Sequence, residues 1–141
     1  MLKHLIFCCV CVCFSQANAN EVVWKGKVHS DGTPSDHINL TMHQKYQIKA
    51  TGFINLGKWM QAGEKLANDP CFEFNEKLAP EKFESLKNSQ NIPICTGKYQ
   101  PDHVYLSDPF EAKQNRIFFW VFDTDYEDNG GAFDVEVIHI K

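Results

Sequence analysis

In three stretches of this chain, apolar or small residues alternate with polar residues at a period of two. This pattern constrains the fold more than any other feature. The stretches are residues 22–28, 46–51 and 133–137. Because successive side chains of a β-strand point to opposite faces, a period of two predicts strands that are buried on one face and solvated on the other. Such half-buried strands are typical of antiparallel sheets that pack one face against a core. The alternation therefore predicts an all-β fold.

Further segments extend the predicted sheet. Residues 117–122 are six consecutive apolar residues, which favours a central strand covered on both faces. Residues 38–42 form a shorter strand candidate. After Val137 the alternation changes phase, as a β-bulge would make it, and we expect this last strand to pair with residues 117–122 as a hairpin. Together these strands predict a single antiparallel β-sandwich.

The middle of the chain departs from the strand pattern. Pro80, followed by Glu81, Phe83 and Leu86, predicts one short helix near residues 80–88 within an insertion. Residues 57–75 keep no steady period and contain two glycines and a proline, so a long loop is expected there. Long ordered loops on β frameworks often carry function.

The N-terminal segment has the pattern of a secretory signal peptide. Lys3 supplies a positive charge, residues 5–14 are an apolar run, and residues 17–19 (Ala-Asn-Ala) resemble a cleavage site. The run is too short for a permanent membrane-spanning helix. The alternative is a buried N-terminal helix or strand. We therefore expect residues 1–19 to be removed and residues 20–141 to form one secreted or periplasmic domain, without membrane insertion.

Cysteine placement supports a single disulfide. Of the six cysteines, four lie in the predicted signal peptide, and only Cys71 and Cys95 remain beyond it. Since exported proteins fold in an oxidising compartment, we predict a Cys71–Cys95 disulfide that closes a loop of about 25 residues. The alternative is two separate buried thiols.

Composition and motifs exclude several classes of function. The formal net charge is −4 and no long basic run exists, so nucleic acid is not an expected partner. The histidines lack the spacing of zinc ligands, and no nucleophile motif or phosphate loop is present. The chain is therefore not expected to be an enzyme. The alternative is a hydrolase that uses two carboxylates from the set Glu73, Glu76, Glu81 and Glu84.

An acidic segment at residues 123–131 (DTDYEDNGG) is the most informative candidate site. It places four carboxylates and one asparagine within seven positions. Clustered carboxylates repel one another unless a cation compensates, and hard oxygen ligands suit Ca²⁺. The alternative is a solvated hairpin turn at Asn129-Gly130. An EF-hand does not fit, because Asp128 and Asp134 stand where its glycine and glutamate should be.

Three blocks of the chain resemble the calcium-dependent galactophilic lectins of bacteria, the PA-I type. The blocks are residues 22–28 (VVWKGKV), 50–59 (ATGFINLGKW) and 123–138 (DTDYEDNGGAFDVEVI), in the same order and at similar spacing. The resemblance implies a jelly-roll-like β-sandwich of the galactose-binding-domain-like type. It also implies that one Ca²⁺ ion binds two vicinal hydroxyls of galactose-type glycans, and that the protein assembles as a homo-oligomer, a dimer or tetramer.

The resemblance also assigns site residues. It implies that the side chains of Asp123, Asp128 and Asn129 and the backbone carbonyls of Leu56 and Asp125 bind calcium. Asp123 and Asp128 would also contact the sugar. Where the family uses a histidine and a glutamine on the far side of galactose, the nearest polar residues are Asn68 and Asp69, and Trp59 is a further candidate for ligand contact.

Two differences from the family lie at this site. The loop from Asp123 to Asp128 is shorter by about two residues, and Asp128 stands where an asparagine is usual. The expected function is a secreted calcium-dependent lectin. The alternative is an extracytoplasmic β-sandwich that calcium stabilises and that acts in protein interaction without binding sugar.

Overall fold

A computed structural model describes residues 19–57 and 60–141 of the chain. Trp59 lies outside the described residues, as does the predicted signal peptide apart from Ala19. The described part of the chain forms sixteen strands in antiparallel pairs and contains no helix, so the all-β prediction is confirmed. It accordingly includes no helix long and apolar enough to cross a membrane.

The strands are numbered in chain order. They are β1 (Glu21–His29), β2 (Ile38–Asn39), β3 (Lys45–Thr51), β4 (Asn55–Leu56), β5 (Met60–Gln61), β6 (Glu64–Lys65), β7 (Ala67–Asn68), β8 (Phe72–Phe74), β9 (Glu81–Lys82), β10 (Leu86–Asn88), β11 (Val104–Leu106), β12 (Phe110–Glu111), β13 (Arg116–Ile117), β14 (Phe119–Val121), β15 (Asn129–Gly130) and β16 (Ala132–Ile140).

The largest sheet is built around β16. Its strand order is β1-β16-β3-β11, and β12 also pairs with β3. Along β16, Phe133, Val135 and Val137 are fully buried, whereas Asp134 and Glu136 between them are partly exposed. This is the alternation that the sequence predicts, and the strands predicted at residues 22–28, 46–51 and 133–137 are confirmed.

A second layer packs on the apolar face of this sheet. It contains the pairs β10-β14 and β2-β13. Ile117, Phe119 and Val121 are fully buried, and the Trp24 ring of β1 stacks on Phe119 with the centroids 6.0 Å apart. Two antiparallel layers with an apolar core between them are consistent with a β-sandwich.

The predicted hairpin between residues 117–122 and the last strand is wrong. β14 pairs with β10, whereas β16 lies between β1 and β3. The connecting residues 122–131 therefore run from one layer to the other. The prediction that residues 117–122 are covered on both faces is also wrong. Phe118 and Trp120 are only half-buried, and Phe122 is 48% exposed.

The predicted helix over residues 80–88 is wrong as well, since this segment contains β9 and β10. The Phe83 N–H donates to the Cys71 carbonyl at 2.9 Å, and the Ser85 carbonyl accepts from the Phe122 N–H at 2.8 Å. The backbone groups therefore bond to other segments and not along a helix. Tertiary pairing overrides the local helix signal.

The remaining differences concern short elements. The segment predicted as a loop over residues 57–75 contains the β5-β6 hairpin and the strands β7 and β8. The candidate at residues 38–42 is a strand only over β2. The irregularity near Val137 lies on the partner strand, where Val23 is the extra residue between Val22, opposite Ile138, and Trp24, opposite Val137.

Cys71 and Cys95 form the predicted disulfide. Their Cα atoms are 5.3 Å apart, and both residues are buried. The bond ties the segment that holds β7, β8 and β9 to the chain that follows β10. A disulfide is consistent with an oxidising, extracytoplasmic compartment.

Candidate functional site

The acidic loop between β14 and β15 is folded back on itself by Tyr126. The Tyr126 hydroxyl donates to the Val121 carbonyl at 3.3 Å and accepts from the Asp123 N–H at 3.1 Å. Gly32 leaves room for this ring, because a Cβ atom at that position would overlap it. Tyr126 therefore anchors the start of the loop to the end of β14.

Local turns give the loop its internal shape. Asp123 Oδ1 accepts from the Thr124 N–H at 2.7 Å, and Asp125 Oδ1 accepts from the Glu127 N–H at 3.1 Å. The second bond forms an Asx turn, in which an aspartate side chain fixes the backbone two residues further on. The Asp125 side chain is exposed, whereas Asp123 is half-buried.

The pairing of β15 with β4 brings the end of the loop to Leu56. Asn129 lies opposite Leu56 in this ladder. The next residue, Gly57, has a φ of 89°, and a Cβ atom there would overlap the Asp128 carboxylate. The structure thus places Asn129 opposite Leu56 and Asp128 beside Gly57, although these residues lie some seventy positions apart in the sequence.

The Asn129 amide has one satisfied end and one unsatisfied end. Its Nδ2 donates to the Ser30 carbonyl at 2.9 Å, which fixes the orientation of the amide. Its Oδ1 is buried and has no hydrogen-bond partner among residues 19–57 and 60–141. A buried acceptor without a partner costs about 1–3 kcal/mol. A cation bound beside Oδ1 would supply the missing partner, so this residue fits the predicted calcium site.

The candidate ligands are of mixed type. Among residues 19–57 and 60–141, no three acidic, histidine or cysteine side chains form a group that could hold a metal ion. The predicted set instead combines the carboxylates of Asp123 and Asp128 with the Asn129 amide and the carbonyls of Leu56 and Asp125. All of these donors are oxygens, which is the chemistry that Ca²⁺ takes.

A cavity of about 460 Å³ adjoins these residues. Leu56 and Asp123 both border it, so the cavity is continuous with the candidate calcium site. Five apolar and five polar side chains line it together with one glycine, and such a mixture can hold a small molecule. The lining residues are Leu56, Gly57, Met60, Gln61, Leu66, Asn68, Glu73, Phe83, Phe122, Asp123 and Thr124.

The two polar residues predicted to contact sugar differ in their surroundings. Asn68 lines the cavity and is 2% exposed, and its buried Nδ2 has no hydrogen-bond partner in the described part of the chain. Asp69 does not line the cavity and is fully buried. A ligand at the cavity therefore meets Asn68 and not Asp69.

Asp69 instead organises the surrounding backbone. Its Oδ1 accepts from the N–H groups of Cys71 at 2.9 Å and Phe72 at 2.7 Å. Its Oδ2 accepts from the Tyr105 hydroxyl at 2.8 Å and lies 3.1 Å from His103 Nδ1. Burial, and to a lesser degree the neighbouring Asp69 carboxylate, raises the pKa of Tyr105, so the hydroxyl keeps the proton that it donates.

The residues that sequence reasoning missed are the cavity walls from the middle of the chain. Phe83 lies in the segment predicted as a helix, and Glu73 appeared only as one of four glutamates in the hydrolase alternative. Glu73 lies opposite Glu81 across β8 and β9, while Glu84 pairs with Lys82 at 3.1 Å. No sequence signal places Phe83 and Glu73 beside the acidic loop.

Comparisons of the chain with models of known protein families, with curated proteins and with solved structures give no match. Function is therefore inferred from the site geometry and from the resemblance of the three sequence blocks. The central geometric facts are the β4-β15 ladder, the Asn129 amide and the adjoining cavity.

Proposed function

We propose that this protein is a calcium-dependent carbohydrate-binding protein, a divergent relative of the PA-I type lectins with their jelly-roll topology. The observation that supports it most is the buried Asn129 Oδ1, which has no hydrogen-bond partner among the residues that the structure describes. Asn129 lies on β15, opposite Leu56 on β4. An oxygen held in this way is suited to a cation. The cavity beside it, bordered by Asp123, offers space for an attached ligand.

The calcium ligands in this proposal are the side chains of Asp123, Asp128 and Asn129 and the carbonyls of Leu56 and Asp125. When bound, calcium would polarise two vicinal hydroxyls of a sugar. Asp123 and Asp128 would then accept charge-assisted hydrogen bonds from those hydroxyls, which are stronger than bonds between neutral groups. Galactose-type glycans carry such a vicinal pair in the cis arrangement.

The other proposed sugar contacts are Asn68 and Trp59. Asn68 lines the cavity from the β7 side. Asp69 is left out of the sugar site, because its carboxylate is buried and already bonded to four groups.

The protein would act by binding and not by catalysis, in the periplasm or outside the cell after removal of residues 1–19. A single sugar contact is small and competes with water, so affinity per site should be modest. A homodimer or homotetramer would raise avidity toward dense glycans.

The thermal midpoint of the 20–141 domain tests this proposal, measured with EDTA, with calcium, and with calcium plus galactose. A ligand at one hundred times its Kd stabilises the native state by about 2.7 kcal/mol, which raises Tm by several degrees in a domain of this size. We expect one rise with calcium and a further rise with galactose.

Two matched variants localise the effect. Asp123→Asn removes a proposed ligand charge, whereas Asp125→Asn removes the same charge from the same loop but keeps the proposed carbonyl ligand. We expect only Asp123→Asn to abolish most of the calcium shift. Absence of a calcium shift in the unmodified protein would reject the proposal. A calcium shift without binding to any glycan on an array would favour the alternative, a calcium-stabilised protein-interaction domain.

A further inference from the structure

We infer that Phe122 is a sugar-binding residue, whose ring packs against the apolar C–H face of the pyranose that calcium and Asp123 hold. The inference rests on the proposed lectin function. It adds a specificity-determining contact to the calcium site, and it specifies galacto-configured sugars as the ligand.

Phe122 is turned away from the core. Before it in the chain, the side chains of Ile117, Phe119 and Val121 are fully buried. Because successive side chains of a strand point to opposite faces, Phe122 follows Val121 on the outer face. It is 48% exposed, which is more surface than its backbone can supply, so the ring itself is accessible.

The backbone beneath this ring is fixed. The Phe122 N–H donates to the Ser85 carbonyl at 2.8 Å, which extends the β10-β14 ladder by one residue. Ser85 is itself buried, and its hydroxyl donates to the Asp69 carbonyl at 3.3 Å. An aromatic side chain has few rotatable bonds, so ordering this ring against a ligand costs little entropy.

Phe122 is not an isolated surface hydrophobe. It borders the cavity of about 460 Å³ together with the apolar residues Leu56, Met60, Leu66 and Phe83. Single exposed apolar residues are common on protein surfaces, whereas several around one cavity indicate a binding surface. Phe122 therefore contributes an aromatic ring to the apolar part of the cavity lining.

The same cavity contains the polar half of the proposed contact. Asp123 follows Phe122 in the chain and also borders the cavity, as does Leu56, whose carbonyl is a proposed calcium ligand. Since adjacent Cα atoms are about 3.8 Å apart, a pyranose ring held at Asp123 would lie within reach of the Phe122 side chain. A ligand bound there would meet a charged oxygen and an aromatic ring from consecutive residues.

This pair of groups matches the two kinds of surface on a pyranose. Hydroxyls lie around the edge of the sugar ring, whereas its faces carry C–H bonds. The face of an aromatic ring is electron-rich, and hydrogens on carbons that bear oxygen are electron-poor, so the two surfaces attract each other. Calcium bound to the hydroxyls would draw more electron density from those carbons and strengthen the contact.

The requirement for an open C–H face selects among ligands. In a β-galactoside, the ring face opposite the axial hydroxyl of the cis-diol carries only C–H bonds. The bases of nucleic acids also stack on aromatic rings, but they are joined by phosphates. The neighbouring carboxylates of Asp123, Asp125 and Glu127 would repel those phosphates.

Calorimetric titration with methyl β-galactopyranoside in saturating calcium tests the inference. Phe122→Leu keeps an apolar side chain but removes the aromatic face, and we expect the sugar to bind about fivefold more weakly. Phe122→Trp restores an aromatic face and should bind at least as tightly as the unmodified protein. The Kd for calcium without sugar should be the same in all three proteins, because the ring supplies no calcium ligand.

Phe53→Leu is the matched control. Phe53 is 60% exposed, and its ring packs on Phe74 and His103, which do not line the cavity. This variant should keep the sugar affinity of the unmodified protein.

Saturation-transfer NMR reports the contact directly. When aromatic protons of the protein are irradiated, the sugar protons H3 and H5, on the open C–H face, should receive more saturation than H2, on the other face. Phe122→Leu should remove this difference.

The outcomes separate this inference from the lectin proposal. Unchanged sugar affinity in Phe122→Leu, or an equal loss of calcium affinity, would overturn the stacking role, while galactoside binding upholds the lectin. Binding of another glycan without binding of the galactoside would also overturn the inference and keep the lectin. A calcium-dependent Tm without binding of any glycan would overturn both.

Discussion

At the scale of single residues, Asp69 joins two separate segments through one buried carboxylate. It caps the turn that carries Cys71 and Phe72, and it holds His103 and Tyr105 from beyond the disulfide. We expect Asp69→Asn to lower the free energy of unfolding by about 2–4 kcal/mol, since an amide presents N–H groups to donors. Urea denaturation measures this loss.

A matched control for that variant is Asp102→Asn. Asp102 is exposed and accepts one bond, from the Val104 N–H at 3.2 Å. Its replacement should change stability by less than about 0.5 kcal/mol. Equal effects of the two variants would contradict a structural role specific to Asp69.

Glu136 provides a prediction about pH. A hydrogen bond from Lys25 at 2.9 Å, with the charge of Lys49, lowers the pKa of this carboxyl below its ordinary value of 4.5. A lowered folded-state pKa contributes stability above the unfolded-state pKa, and that stability is lost as pH falls through the folded value. Glu136→Gln should therefore lower the free energy of unfolding by about 0.5 kcal/mol at neutral pH. The loss should vanish at a pH where Glu136 is protonated in both the folded and the unfolded state.

Thermal melts at about pH 7 and about pH 2 test this dependence. Glu76→Gln, at an exposed glutamate outside the strands, is the control. A Glu136→Gln deficit of the same size at both pH values would show that the loss is not electrostatic.

At the scale of elements, Gly57 follows β4 and lies against the acidic loop at Asp128. It shares a positive φ with Gly63, but only at Gly57 would a Cβ atom meet the Asp128 carboxylate, whereas nothing lies within 4 Å of one at Gly63. Both replacements by alanine should therefore destabilise by about 1 kcal/mol. Only Gly57→Ala is expected to reduce the calcium-induced rise in Tm, and equal calcium shifts in the two variants would contradict the placement of Asp128 in the site.

The elements also show how much of the fold can be predicted from patterns in the sequence. β1, β3 and β16 were predicted because each carries its own alternation of buried and exposed residues. The pairing of β14 and the strands β9 and β10 were not predicted, because their conformation depends on partners distant in the sequence. The candidate site divides in the same way. Leu56 and Asn129 lie in blocks that are recognisable in the sequence, whereas Phe83 reaches the cavity only through tertiary packing.

At the scale of the whole molecule, the Cys71–Cys95 disulfide links global stability to the cavity. It closes a sequence separation of 24 residues, and the closed segment contains Glu73 and Phe83. Replacing both cysteines by serine should lower the free energy of unfolding by about 3 kcal/mol through loop entropy. Urea denaturation of the double variant and of the unmodified protein, both without reductant, checks this value; a loss below about 1 kcal/mol would contradict it.

The central position of β16 has a consequence for the order of events during synthesis. Lys25 on β1 bonds to Glu136 on β16 across a separation of 111 residues, and β3 also pairs with β16 along its length. The main sheet therefore cannot close until the ribosome has released β16, and closing such distant contacts is slow. Until then β1 and one edge of β3 lack their partner strand, and a chain whose main sheet is still open can thread through a narrow translocation channel.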